Sequence, residues 1–134
     1  RHVVPSLLMT RFASVRRYEI LFAASATVPY ETIHELRIDC KYLRYSLEFV
    51  EELLGAEGKA LIQHLKELQD LLGDLNDAVV AMGRLQSKEA EAASSYIQQQ
   101  QAVIDQLTNE IPHVFADFIA HHTRQELALA IARL

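Results

Sequence analysis

The sequence predicts an all-α protein, an antiparallel bundle of four to five helices. Half of the 134 residues are apolar, whereas only 4 are Gly and 3 are Pro. Apolar residues recur every three or four positions along most of the chain, which is the period of a helix with one buried face. The segments between these patterns are short, and short connections favour antiparallel neighbours. We therefore expect residues 1–134 to form a single helical-bundle module.

Two helices are expected in the N-terminal half. The first covers about residues 5–24, because Val4, Leu8, Phe12 and Val15 recur at helical spacing. A loop follows over residues 24–30. The second helix is expected to begin at Thr32, where Thr32 and Glu35 match a capping box, and to run to about residue 54, before Gly55.

Three further helices are expected after Gly55. The third covers about residues 59–86, and we interpret its Gly73 and Gly83 as points where another backbone approaches closely. The fourth covers about residues 88–109. We expect Pro112 to end it or to start its successor, because proline lacks a backbone N–H. The fifth helix covers about residues 113–133.

Composition excludes several classes of protein and site. Cys40 is the only cysteine, so neither an intrachain disulfide nor a cysteine-based zinc site can form, and we expect a cytoplasmic location. No apolar run reaches the length of a membrane span, and no signal peptide is recognisable. The chain begins inside an amphipathic pattern, so we interpret it as a module of a longer protein.

The sequence predicts no catalytic centre, metal site or cofactor. His64 stands alone beside an apolar stripe, and His113, His121 and His122 lack the spacing of metal ligands on one helix face. Each is expected to be either a surface histidine or one whose ring is satisfied by ordinary hydrogen bonds. No serine or cysteine lies where a nucleophile would be activated, because Cys40 belongs to the apolar face of the second helix.

Charge is distributed unevenly along the chain. The formal net charge is −5, yet residues 1–47 carry seven basic and four acidic side chains, a local net charge of +3. Residues 48–134 carry six basic and fourteen acidic side chains, a local net charge of −8. Because the local field decides where a ligand is captured, an anion is expected to bind the N-terminal third.

The second helix carries a ladder of hydrogen-bond donors. Spacings of three and four place His34, Arg37, Lys41 and Tyr45 on one side of the helix, with Arg44 at its edge. The ladder covers roughly 15 Å, which suits an extended anion better than a single phosphate. Arginine offers a planar fork to phosphate oxygens, and lysine offers a mobile charge. The alternative is a solvated surface that happens to be basic.

A second motif, Leu-Gly-Asp-Leu-Asn-Asp at residues 72–77, lies on the third helix. Three interpretations of Asp74, Asn76 and Asp77 remain open. They could orient a basic side chain of the ladder, ligate a hard cation, or simply form the polar face of the helix.

These residues together resemble the CHAD family, the conserved histidine α-helical domain. The resemblance rests on the ladder spacing, on the 72–77 motif and on the basic first helix, and it is strong over about residues 1–85. It implies an all-helical fold that binds inorganic polyphosphate without catalysis. The expected location is then the cytoplasm, including polyphosphate granules. By resemblance, His34, Arg37, Lys41 and Arg44 face the polyanion. Tyr45 is an addition, and Arg11, Arg16 and Arg17 follow from their location only.

One departure from the family concerns completeness. A whole member carries two copies of the histidine–arginine motif, whereas this chain carries one and looks like the second half. The missing half would come from an N-terminal segment or from a second chain.

We therefore expect binding of polyphosphate or a similar phosphate-rich polyanion. Two alternatives are an accessory domain of a metal-dependent triphosphate or polyphosphate hydrolase, using Asp74 and Asp77, and a helical protein-interaction module. Nucleic acid is not expected as a partner, because the chain is acidic overall and shows no reading helix.

Overall fold

A computed structural model of the protein describes residues 3–24, 28–85 and 94–134. Every regular element within these ranges is an α-helix, which confirms the all-α prediction. The helices are α1 (Val3–Arg16), α2 (Tyr18–Ala23), α3 (Tyr30–Phe49), α4 (Glu51–Gly83), α5 (Ser94–Phe118) and α6 (His121–Ala132). Only Arg17 separates α1 from α2, and its backbone keeps right-handed helical angles. The predicted first helix therefore corresponds to α1 followed by α2.

Helix α4 is the centre of the bundle, since it packs against α3, α5 and α6, while α1 packs on the other side of α3. Contacts between helix ends show that neighbours run antiparallel. Tyr30 at the start of α3 bonds Asn76 late in α4, and Arg133, just after α6, pairs with Glu57 early in α4. Helix α2 reaches α5 through Phe22, whose ring lies edge-on to Phe115 at 5.2 Å between centroids.

One continuous apolar core runs through all six helices. Helix α3 contributes Cys40, which is fully buried, and burial raises the pKa of its thiol well above the usual range. No helix in the three described ranges combines the length and the apolar character that a membrane span requires.

The boundary between the second and third predicted helices differs from the expectation. Helix α3 starts two residues before Thr32, with Pro29 as a cap that makes no side-chain bond, so the capping-box prediction is wrong. The helix ends at Phe49 because Val50 leaves helical angles (φ −117°, ψ 19°). Val50 is nevertheless buried, so the apolar period of the sequence continues through the bend and gives no sign of it. Gly55, at φ +71°, makes a second break inside α4, in a region of backbone space that favours glycine.

Two further expectations, about a proline and about two glycines, are also wrong. Pro112 lies inside α5, which continues to Phe118 because Ile111 and Phe115 are buried on either side of the proline. Gly73 and Gly83 do not mark a close approach of another backbone, because a β-carbon at either position would have no atom of the described residues within 4 Å beyond its own stretch of helix. The predicted end of the third helix at residue 86 and the predicted start of the fourth at residue 88 lie outside the described residues.

Candidate anion-binding site

The basic residues predicted on the second helix follow one flank of α3. The rotation of the helix is fixed by its buried side chains, which are Ile33, Leu36, Cys40, Leu43 and Leu47. At 3.6 residues per turn, the predicted residues fall within an arc of roughly 100° beside that buried face. We call this set the ladder flank; it consists of His34, Arg37, Lys41, Arg44 and Tyr45. Lys41 and Tyr45 are exposed, whereas the other three are partly buried.

Two cations of the ladder flank have no acidic partner in the described part of the chain. No carboxylate oxygen there lies within 4.0 Å of Arg37 or Lys41. Lys41 instead lies near the ring of Tyr45, with Nζ 5.8 Å from the centroid. The guanidinium carbon of Arg44 lies 5.4 Å from the same centroid. Tyr45 therefore attracts both cations by cation–π interaction, which does not neutralise the charge of Lys41.

Arg44 is only partly available to a ligand. Its Nε lies 3.1 Å from Oε1 of Glu48, one turn later on α3. The N–H is nevertheless not directed at that oxygen, and Nε is a buried atom without a hydrogen-bond partner among the described residues. The contact is thus an ion pair without a well-aligned hydrogen bond, and it removes part of the positive charge of Arg44.

His34 belongs to a small assembly that joins α3 to α4. Its ring stacks on Tyr30, one turn earlier, with 5.9 Å between centroids and an interplanar angle of 28°. The hydroxyl of Tyr30 donates to Oδ1 of Asn76 on α4 at 2.7 Å. The 72–77 motif therefore reaches the ladder flank through Asn76, which supports Tyr30 rather than an arginine. Asp74 and Asp77 are exposed, and neither pairs with a cation of the described ranges.

Two of the three arginines predicted on the first helix contact the opposite flank of α3. Arg17 lies 3.4 Å from Oδ2 of Asp39, and its guanidinium covers the ring of Tyr18 at 4.4 Å. Arg11 covers the ring of Tyr42 at 5.1 Å. Asp39 and Tyr42 are rotated by roughly 140–160° from Arg37 around the helix axis. We call this set the anchoring flank; it consists of Asp39 and Tyr42 of α3 together with Arg11, Arg17 and Tyr18.

Tyr18 is the buried centre of the anchoring flank. Its side chain is fully buried, and its hydroxyl donates to Oδ2 of Asp39 at 2.6 Å. Burial, followed by the hydrogen bond to Asp39, raises the pKa of Tyr18 well above its usual value. The hydroxyl therefore stays protonated and serves to hold α2 against α3.

Arg16 is exposed and belongs to neither flank. It lines a shallow surface depression of about 340 Å³ with Arg17, Glu19 and Ile20. The structure thus brings together the five predicted residues of α3, whereas Arg11 and Arg17 contact the anchoring flank. Sequence reasoning missed Tyr30 and Tyr42; the available signal for Tyr30 was its position four residues before His34, on the same side of the helix.

A cavity on the far side of α4 has a different chemistry. It measures about 280 Å³ and is lined by residues of α4, α5 and α6, including Glu67 and Asp117. His64, expected to stand alone, in fact lies here, 3.7 Å from Glu126 and edge-on to His122. The acidic lining disfavours an anion. Within residues 3–24, 28–85 and 94–134, no three His, Cys, Asp or Glu side chains are grouped as metal ligands.

Comparisons with known proteins agree with the N-terminal motifs. A family model described as the CHAD domain matches residues 1–86, which contain the whole ladder flank, Tyr30 and Asn76. Neither the curated proteins nor the solved structures provide a significant match. The match covers more than half of the chain, and the chain therefore belongs to the CHAD domain family.

Proposed function

We propose that this domain binds inorganic polyphosphate, or a similar phosphate-rich chain, along the ladder flank of α3. The observation that supports the proposal is the state of Arg37 and Lys41. Both lie on one flank with His34, and neither has a carboxylate within 4.0 Å among the described residues. Their charge is available to a ligand at no cost in broken ion pairs.

The binding would be electrostatic and extended. Arg37 presents several N–H donors to phosphate oxygens, and Lys41, held near Tyr45, adds a second charge one turn along the helix. Each cation that meets a phosphate releases condensed counterions, so the affinity falls steeply as salt rises. The 15 Å length of the ladder, estimated from the roughly 1.5 Å rise per residue, favours chains of several phosphates over a single phosphate.

A salt titration with long-chain polyphosphate tests the proposal. The Arg37→Ala/Lys41→Ala double variant should lose roughly 10- to 100-fold in affinity, since a factor of ten corresponds to about 1.4 kcal/mol. The slope of log K against log salt is negative, and its magnitude should fall by about 1.4 to 1.8 when two phosphate contacts are lost. The matched control is Lys59→Ala/Lys66→Ala on α4, which removes the same charge from the acidic part of the chain. Salt-insensitive binding by the wild type, or equal losses in both double variants, would count against the proposal.

We propose binding without chemistry. A magnesium-dependent reaction would rely on Asp74 and Asp77. The hydroxyl of Tyr30 donates to Asn76, which lies between these two residues in sequence, and not to either carboxylate. The expected result is that no phosphate is released from polyphosphate when Mg²⁺ is added. Metal-dependent release that is abolished in Asp77→Ala would favour the hydrolase alternative instead.

A second candidate function is self-association, and an apolar cleft favours it. The cleft measures about 430 Å³ and is formed by the start of α1 and the end of α3, with Val3, Leu7 and Tyr45 in its lining. Phe49 borders the same cleft and is 86% exposed. Two copies related by a two-fold axis could each insert Phe49 into the cleft of the other. Light scattering across protein concentrations should then show a dimer that Phe49→Ser abolishes; a monomer at all concentrations would exclude it.

The location in the cell is part of the proposal. A polyphosphate-binding domain whose single cysteine is a buried free thiol is suited to the cytoplasm and to polyphosphate granules.

A further inference from the structure

The side chain of Tyr30 is held at both ends. One face of its ring stacks on His34, and its hydroxyl donates to Asn76 on α4 at 2.7 Å. Tyr30 and Asn76 are 46 residues apart in sequence, so this contact exists only when α3 and α4 are packed. A tyrosine fixed in this way limits the positions that the neighbouring imidazole can adopt.

The two nitrogens of His34 are in different surroundings. Nδ1 is a buried atom with no hydrogen-bond partner among the described residues. His34 is only partly buried, and its Nε2 is not among the buried unpartnered atoms, so we take Nε2 as the nitrogen that a ligand can reach. The neutral ring must place its single hydrogen on one nitrogen or the other.

The surroundings favour the hydrogen on Nε2. With the hydrogen on Nδ1, a donor would be buried without an acceptor, and an unpaired buried N–H is among the rarer and costlier arrangements in proteins. Nε2 would then be a bare acceptor, which repels a phosphate oxygen. With the hydrogen on Nε2, only a lone pair is buried, and the outer nitrogen donates.

We propose that Tyr30 and Asn76 are positioning residues that hold His34 in its neutral Nε2–H tautomer, with the donor available to a bound phosphate. The part that concerns the ligand rests on the proposed function, whereas the tautomer does not. The 72–77 motif thereby acquires a role: Asn76 acts on the ladder flank through Tyr30, without touching the polyanion.

Nitrogen–proton correlation spectra of the histidine rings at about pH 8, above the ordinary histidine pKa, test the tautomer. The signals of His34 are assigned by their loss in His34→Gln. The wild type should show the Nε2–H pattern. In Tyr30→Phe, which keeps the ring, and in Asn76→Leu, which removes the acceptor, the pattern should shift toward a mixture of tautomers. Tyr96→Phe, at an exposed tyrosine of α5, is the matched control and should leave the spectrum unchanged.

Binding of long-chain polyphosphate tests the ligand part with the same variants. Tyr30→Phe and Asn76→Leu should each weaken binding roughly 3- to 10-fold, the range that one hydrogen bond supplies. The double variant should be no weaker than either single one, because both remove the same bond. The salt slope should stay at the wild-type value, because no charge is changed. A purely structural role would lower thermal stability without altering the tautomer.

The outcomes separate this inference from the proposed function. An Nδ1–H pattern in the wild type overturns the inference, and so do an unchanged tautomer and an unchanged affinity in both variants. In either case, loss of polyphosphate binding in Arg37→Ala/Lys41→Ala would still support the proposed function. If the wild type does not bind polyphosphate at all, the proposed function and the ligand part fall together. The spectra then still support or overturn the role of Tyr30 and Asn76 in fixing the ring.

Discussion

The two flanks of α3 carry the same kinds of side chain and differ in what surrounds them. On the anchoring flank, Arg17 is paired with Asp39 and stacked on Tyr18, and Arg11 is stacked on Tyr42. On the ladder flank, Arg37 and Lys41 have no carboxylate partner within the described ranges. The difference teaches that a basic residue near a candidate site is informative only once its neighbours are known.

The magnitudes explain why the anchoring flank is structural. Exposed ion pairs and cation–π contacts contribute up to about 1 kcal/mol each, so Arg11 and Arg17 stabilise the α1–α3 contact only modestly. The bond from buried Tyr18 to Asp39 matters more, because a buried hydroxyl that loses its acceptor carries the full cost of its desolvation.

Removing the acceptor at Asp39 should give the largest change in stability. We expect Asp39→Ala to lower the free energy of unfolding by about 1–3 kcal/mol, since it removes the acceptor of the buried Tyr18 O–H, whose oxygen keeps only the bond that it accepts from Arg17. Asp39→Asn keeps an acceptor and should cost less. On the other flank, exposed Lys41→Ala should change stability by no more than about 0.5 kcal/mol. Urea denaturation measures all three, and equal costs at Asp39 and Lys41 would erase the distinction between the flanks.

Alkaline pH should weaken the anchoring flank selectively. The pKa of Tyr18 is raised in the folded protein, so its contribution to stability is fully present below the unfolded tyrosine pKa of about 10 and is lost as pH rises above it. Urea denaturation from pH 8 to 11 should therefore show the advantage of the wild type over Tyr18→Phe shrinking above pH 10. Exposed Tyr96→Phe should show no such convergence. Parallel curves for wild type and Tyr18→Phe would contradict the assignment.

Substitutions on the anchoring flank should have the smallest effect, a minor change in the affinity for polyphosphate. The Arg11→Ala/Arg17→Ala variant removes the same charge as Arg37→Ala/Lys41→Ala, yet we expect it to lose less than about 3-fold, because Arg17 is already paired with Asp39 and Arg11 already covers the ring of Tyr42. Calorimetric titration at physiological salt compares the two. A loss as large as that of Arg37→Ala/Lys41→Ala would place both flanks in one binding surface.

The segments that form helices could be predicted from the sequence, whereas several of the residues at which those helices begin or end could not. Apolar periodicity located each helix because burial of one face stabilises it. The same periodicity passed through Val50, whose side chain stays buried while its backbone bends, and through Pro112, which the core residues Ile111 and Phe115 hold inside α5. The capping-box pattern at Thr32 was overridden because Pro29 already starts the helix.

The ladder flank could be predicted because it depends on spacing within one helix. The anchoring contacts could not, since Asp39 lies 21 residues from Tyr18 and meets it only through packing. Charge counting likewise assigned Arg11 and Arg17 to the candidate site, because a sum of charges does not show which of them are already paired. The partner of Asn76 was open for the same reason, and it proved to be Tyr30.

The continuous core has a consequence for where the protein can be divided. The family match ends at residue 86, yet Phe22 of α2 rests on Phe115, and Leu68 of α4 shares a cavity wall with Phe118. A fragment trimmed to the matched segment would leave the inner surface of α4 bare to water. The segment that matches the family is thus shorter than the continuous core, and the helix that carries the ladder flank is packed on α5 and α6 through α4.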